Sequence, residues 1–121
     1  MDSTRAPDGP TQAGEQLAAV TNGIVRLFHD YYGRGPTRAK SYMLDDRILV
    51  CVLEDTMTQV ERTLAASGEG DTVRQVRLTF QEAMAEEFKE TVSEAMGRRV
   101  LGYHSQLTLE PDVGFEFFVL D

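Results

Sequence analysis

Two histidines, one cysteine and a basic glycine-proline segment are the features of this chain whose residue types could do chemistry. His29 and His104 have no HxxxH, HExxH or His-Cys spacing around them, so the pattern a zinc site needs is missing and no metal site is expected. Ser105, His104 and Asp112 could be drawn as a hydrolytic trio. No nucleophile-elbow motif holds the serine at a strand-to-helix turn, so the trio carries little weight. His104 and Glu116, in strands expected to be neighbours, are the best acid-base candidates. Cys51 lies in the apolar run Ile48-Leu49-Val50-Cys51-Val52-Leu53, where a thiol behaves as a small hydrophobe. The expectation is a protein that is not an enzyme, with no catalytic residue and no cofactor.

The segment Tyr31-Tyr32-Gly33-Arg34-Gly35-Pro36-Thr37-Arg38-Ala39-Lys40 is different in kind. Between Gly33 and Lys40 it has three basic residues and no acid, two glycines and a hydroxyl. Arg34, Thr37 and Arg38 could hold an anion or nucleotide, with backbone N–H groups around Gly35 assisting. The bland reading stands beside it: Gly33 stops a helix and Pro36 cannot continue one. The Walker pattern is absent.

Two features of the longest helical segment complete the search. Glu82, Glu86, Glu90 and Glu94 form an acidic ridge at four-residue spacing, without the Glu-x-x-His signature of carboxylate di-metal bundles; it reads as a solvated face, or as a surface for a basic partner. Arg77 falls inside the apolar stripe, between the directions of Met84 and Phe88. It must find a partner or snorkel; an ion pair under the helix is the preferred reading, and a functional contact stays open.

The elements that position these residues follow from periodicity. Leu17, Val20, Ile24, Leu27, Phe28 and Tyr31 predict an amphipathic helix over about 12–32, with Thr11 as its cap. Residues 1–14, poor in large apolar side chains, predict a flexible tail, with a single domain over 15–121. Ala39 to Leu44 and Ile48 to Leu53 predict a hairpin around Asp45-Asp46-Arg47. Thr58 and Glu61 have capping-box spacing for a short helix, on which Met57, Val60 and Leu64 share a face. Val73, Val76, Phe80, Met84, Phe88, Val92 and Met96 mark the long helix, closed by Gly97. Val100 to Leu109 and Val113 to Leu120 predict two further strands around Glu110-Pro111-Asp112. Leu101, Tyr103, Leu107 and Leu109 give the first an apolar face. The second is apolar on both faces, Val113, Phe115, Phe117 and Val119 pointing one way and Gly114, Glu116, Phe118 and Leu120 the other. The order α-β-β-α-α-β-β favours an α+β fold, a small, mainly antiparallel four-stranded sheet with helices on one face. The doubly apolar strand predicts a homodimer.

The chain has 121 residues, 20 Asp+Glu against 12 Lys+Arg and a formal charge of −8. That balance opposes nucleic-acid binding, no apolar run approaches the ~18–20 residues of a membrane span, and one cysteine suits a reducing compartment. A protein of the cytoplasm, without direct membrane insertion, is expected.

Four ordered blocks carry a family resemblance: Tyr31-Tyr32-Gly33-Arg34-Gly35-Pro36-Thr37, Val50-Cys51-Val52-Leu53-Glu54, Arg77-Leu78-Thr79-Phe80-Gln81-Glu82-Ala83-Met84 and Phe115-Glu116-Phe117-Phe118-Val119-Leu120. Together they resemble the MpsC-like family, over about Gln16 to Asp121. The family was long a domain of unknown function and is named for a component of a sodium-translocating, membrane-potential-generating system later associated with bicarbonate uptake. The resemblance implies a bacterial accessory or regulatory protein of a membrane ion or bicarbonate transport system. It would be peripheral at the inner membrane through a transport-protein partner. It supplies no catalytic residue. By matching position, Gly33, Arg34, Gly35, Pro36, Arg77 and Gln81 are the shared residues that packing explains least. With Thr37 and Arg38 they form the expected ligand or partner site.

Overall fold

The elements follow in the order α1 (Gln12–Tyr32), β1 (Arg38–Leu44), β2 (Ile48–Glu54), α2 (Gln59–Ala66), α3 (Gly70–Met96), β3 (Val100–Thr108) and β4 (Val113–Leu120), in a computed structural model that describes residues 12–121. The expected Thr11 cap and residues 1–11 of the expected tail lie outside the described residues, while 12–14 form the first residues of α1. The fold is α+β, and every strand pairing is antiparallel. Asp45 and Asp46 both take positive φ (53° and 54°), and the Arg47 N–H donates to the Leu44 carbonyl at 3.1 Å. This left-handed pair suits a hairpin, and aspartate tolerates it better than most residues.

The sheet order is β1-β2-β4-β3, so the two hairpins join through β2 and β4. Register sorts the side chains into rows. On the inner face Ala39, Leu53, Gly114 and Leu107 form one row, Ser41, Cys51, Glu116 and Ser105 the next, and Met43, Leu49, Phe118 and Tyr103 the third. Helix α1 lies over β1 and β2, and α3 over β3. Val20, Ile24, Phe28, Phe88 and Val92 meet Leu49, Leu53, Phe118 and Leu120 in the core. Each such apolar side chain contributes about 1.5–3 kcal/mol on burial. Stacked rings carry the core between layers: Phe118 on Tyr103 with centroids 5.0 Å apart, and Tyr103 on Phe88 at 5.5 Å. The two long helices touch closely at Gly23, where a Cβ would stand 2.5 Å from Thr91 Cγ2.

Three expected faces are corrected. Val76 is 56% exposed and Arg77 occupies the buried direction instead. Val60 is 69% exposed, and Glu61 is the buried residue of α2. Leu101 is exposed because β3 has a bulge between Val100 and Gly102, which moves one residue out of the alternation. In the two helices the buried residue is a charge whose partner lies on the other helix, Arg77 with Glu61, and in β3 the bulge shifts the alternation; periodicity encodes neither.

Candidate functional site

The connection from β2 to α2, Asp55-Thr56-Met57, is where two of the predicted site residues, Arg34 and Arg77, converge. Asp55 turns the chain with φ 62°. Arg34, from the loop after α1, donates through Nη1 to the Met57 carbonyl at 2.6 Å and through Nη2 to Asp55 Oδ2 at 3.0 Å. Arg62 of α2 grips the other oxygen of Asp55. Hydrogen bonding from Arg34 holds the Asp55 carboxyl below the usual carboxylate range. From the β3–β4 turn, Asp112 accepts from Thr56 Oγ1 at 3.2 Å and from the Met57 N–H at 2.9 Å.

Arg77 reaches the same connection from α3. Its Nη2 donates to the Thr56 carbonyl at 2.9 Å, while Nε and Nη2 bind Glu61 at 2.6 and 2.7 Å. Glu61 also closes the capping box of α2, accepting the Thr58 N–H at 2.8 Å and lying three residues beyond the Thr58 hydroxyl that caps its own N–H. Burial alone would raise the Glu61 pKa, but hydrogen bonds from Arg77 and Thr58 outweigh it and hold the carboxyl below its usual value. The Arg77 guanidinium carbon sits 4.1 Å from the centre of the Tyr32 ring. Burial pushes the Tyr32 hydroxyl up to about 12.

A second polar cluster lies beneath α3, on the inner face. Glu116, 2% exposed, accepts from the Tyr103 hydroxyl and from Ser105 Oγ at 2.5 Å. Burial pushes its carboxyl up to about 7, against the pull of the two hydroxyls and Arg77. Across the row, Cys51 is fully buried, and burial pushes its thiol up to about 11.

The expected site residues do not gather into one pocket. Gly33 ends α1 with φ 80°, its N–H donating to the His29 carbonyl at 3.1 Å. Arg34 is engaged as above. Gly35 and Pro36 are half-buried, and the Thr37 N–H donates to the Glu54 carbonyl at 3.0 Å. Arg38 is exposed, 3.9 Å from Glu54. Gln81 and Arg77 share a cleft of about 210 Å³ between α3 and β3, with Arg74, Ser105 and Gln106. Arg34 and Arg77 thus converge on adjacent carbonyls of one connection, Gln81 belongs to the cleft, and Thr37 and Arg38 stand apart. The expected His104–Glu116 pair is divided: Glu116 faces inward, while His104 pairs with Phe117 in an outer-face row and is exposed. Asp55 and Tyr103 were not legible as site residues, and Asp112 entered only through the discounted trio with His104 and Ser105, not as the partner of Thr56 and Met57. Glu61 had a signal in its capping spacing, and Glu116 in being the lone acid among Phe118 and Leu120.

The outer sheet face carries no helix among the described residues. Lys40, Val52, Phe115 and Gln106 share one of its rows, Tyr42, Val50, Phe117 and His104 the next, and Leu44, Ile48, Val119 and Gly102 the third. Tyr42 and Leu44 are 43% and 53% exposed, and the Phe115 and Phe117 rings stack at 6.1 Å. Among the described residues no helix is long and apolar enough to cross a membrane, and no group of three or more His, Cys, Asp or Glu could hold a metal ion.

Comparison with known proteins gives one relative and one family. The chain is 29% identical over 96 residues to the uncharacterized protein YbcI of Bacillus subtilis (strain 168), covering 78% of this chain and 77% of the relative. No solved structure matches. The family described as Na+-translocating membrane potential-generating system (MpsC) matches residues 12–121, nearly the full length. The chain belongs to the MpsC family.

Proposed function

We propose that this chain is a non-catalytic accessory or regulatory protein of a membrane ion or bicarbonate transport system, acting as a dimer at the cytoplasmic side of the membrane. The family's description names a Na+-translocating, membrane-potential-generating system. The observation that carries the molecular part is the outer sheet face, apolar across its centre and uncovered by the chain's own helices. A second copy presenting the same apolar rows can cover it. The chain carries −8, yet this face presents Arg38 and Lys40 with Glu54 as its one acid, while the exposed Glu82, Glu86, Glu90 and Glu94 ride on the helix layer behind. Two copies meeting here keep their acidic ridges far apart. The transport protein then binds the dimer from outside, and neither nucleic acid nor direct membrane insertion is involved.

The test is to purify tagged protein from detergent-solubilised membranes of its native cells and identify what accompanies it. An ion-transport membrane protein recovered with wild type supports the accessory reading; recovery of this chain alone overturns it. The rival reading, an anion module built on the Gly-Arg-Gly-Pro loop, is weakened because Arg34 already binds Met57 and Asp55.

A further inference from the structure

The cleft between α3 and β3 places two arginines beside an amide and a hydroxyl on a chain whose net charge is −8. Its lining residues are Arg74, Arg77, Gln81 and Ser105 between the apolar walls of Leu78 and Leu107, with Gln106 at its edge, the Gln106 side chain sharing the outer-face row of Phe115. No carboxylate lines it. Arg77, 3% exposed, is fixed by Glu61 and Thr56 through Nε and Nη2 and is one of the residues that line the cleft. Among the described residues Arg74 pairs with Asp71 at 3.2 Å, and that carboxylate is fully exposed, so the pair is weak and easily exchanged. Donor groups in a cleft of about 210 Å³, below the range of drug-sized ligand pockets, suit a small anionic oxygen ligand.

Ser105 connects this cleft to the buried carboxylate behind it. With Glu116 ionised, the Ser105 proton points inward to Glu116 Oε2. When Oε2 is protonated it becomes the donor to Ser105 Oγ, and the serine hydroxyl is free to turn its own hydrogen toward a ligand. We propose that this cleft binds a small oxyanion, a carboxylate or a tetrahedral anion, together with one proton taken from solvent onto Glu116. The groups facing Glu116 from the packed elements are Arg77 of α3, Tyr103 and Ser105 of β3, Cys51 of β2 and Tyr32 of α1. Arg77 favours its ionised form, and burial opposes it. The site is independent of the transport-accessory reading.

The experiment titrates the full chain with acetate and, separately, sulfate, following backbone and glutamine side-chain amides by NMR, with chloride as the ionic-strength control. Saturable shifts at Gln81, Ser105 and Gln106 are expected, with affinity falling about tenfold between about pH 6 and about pH 8. Response to acetate alone assigns carboxylates, and to sulfate alone tetrahedral anions. Calorimetry in buffers of different ionisation heat should show proton uptake. Gln81→Leu should weaken binding about tenfold, and Glu116→Gln should bind without pH dependence. Absence of saturable shifts with both anions, or equal shifts with chloride, overturns the site. Unchanged affinity in Gln81→Leu does the same. PH-independent binding by wild type, without proton uptake, overturns the role of Glu116 even where Glu116→Gln fails to fold.

Discussion

Arg77 of α3 and Glu61 of α2 form a two-pronged ion pair, with 2.6 and 2.7 Å contacts and side chains 4% and 10% exposed. The pair fastens the short helix to the long one and, through the Thr56 carbonyl, to the end of β2. Replacing Arg77 with Met leaves a buried carboxylate, and Glu61→Gln leaves a buried guanidinium; each should cost about 3–5 kcal/mol. Urea unfolding of both single variants and of the double variant checks this. The double variant should lose less than the sum, because it leaves no orphaned charge.

Stability should decline with rising pH through the weakly acidic range. The Glu116 carboxyl is raised from 4.5 to about 7 in the folded protein. The folded chain therefore binds a proton there that the unfolded chain releases. Its contribution is fully present below about pH 4.5 and is lost as pH rises through about 7. At about 1.4 kcal/mol per tenfold change in proton affinity, the loss is roughly 3 kcal/mol. Denaturation midpoints across that window should slope downward in wild type and flatten in Glu116→Gln.

Cys51 should be unreactive in the folded chain. Its thiol is fully buried and raised to about 11, so little thiolate exists at neutral pH. A colourimetric disulfide reagent should label it only at the rate of unfolding, and rapid labelling in native buffer would contradict the inward placement of this row.

The helix crossing at Gly23 should reject a methyl group. A Cβ would meet Thr91 Cγ2 at 2.5 Å, so Gly23→Ala should destabilise by about 1–3 kcal/mol despite its better helix propensity. Thr91→Ser removes Cγ2 and should restore most of the loss, measured as the melting temperature of the single and paired variants.

Phe117 lies at the centre of the uncovered sheet face. Light scattering during size-exclusion chromatography should give a dimer mass for wild type and a monomer mass for Phe117→Lys. A monomeric wild type would refute the proposed interface. Retained far-ultraviolet circular dichroism would show that the variant still folds.

Much of the architecture was legible because it depends on local rules. The Thr58–Glu61 box starts α2, Gly97 closes α3 with φ 66°, and alternation along β4 sorts Gly114, Glu116, Phe118 and Leu120 to the inner face. Strand order was not legible, since either strand of each hairpin could have joined the other hairpin. The convergence of Arg34 and Arg77 was hidden for the same reason. Their acceptors are backbone carbonyls of Thr56 and Met57, which any sequence possesses, so no residue type announced the connection. Arg77 itself was readable as a charge in an apolar stripe, but its partner Glu61 was masked by its capping role.

The central position of β4 also constrains how the polypeptide can be made. Among the described residues β3 pairs with β4 alone, and β2 meets the second hairpin through it. A nascent chain that has emerged as far as Thr108 therefore holds an unzipped β3 and an open β2 edge. Both wait for Val113–Leu120, and both are sites where neighbouring nascent chains can pair wrongly. The docking of this one strand is thus the event that closes both edges at once.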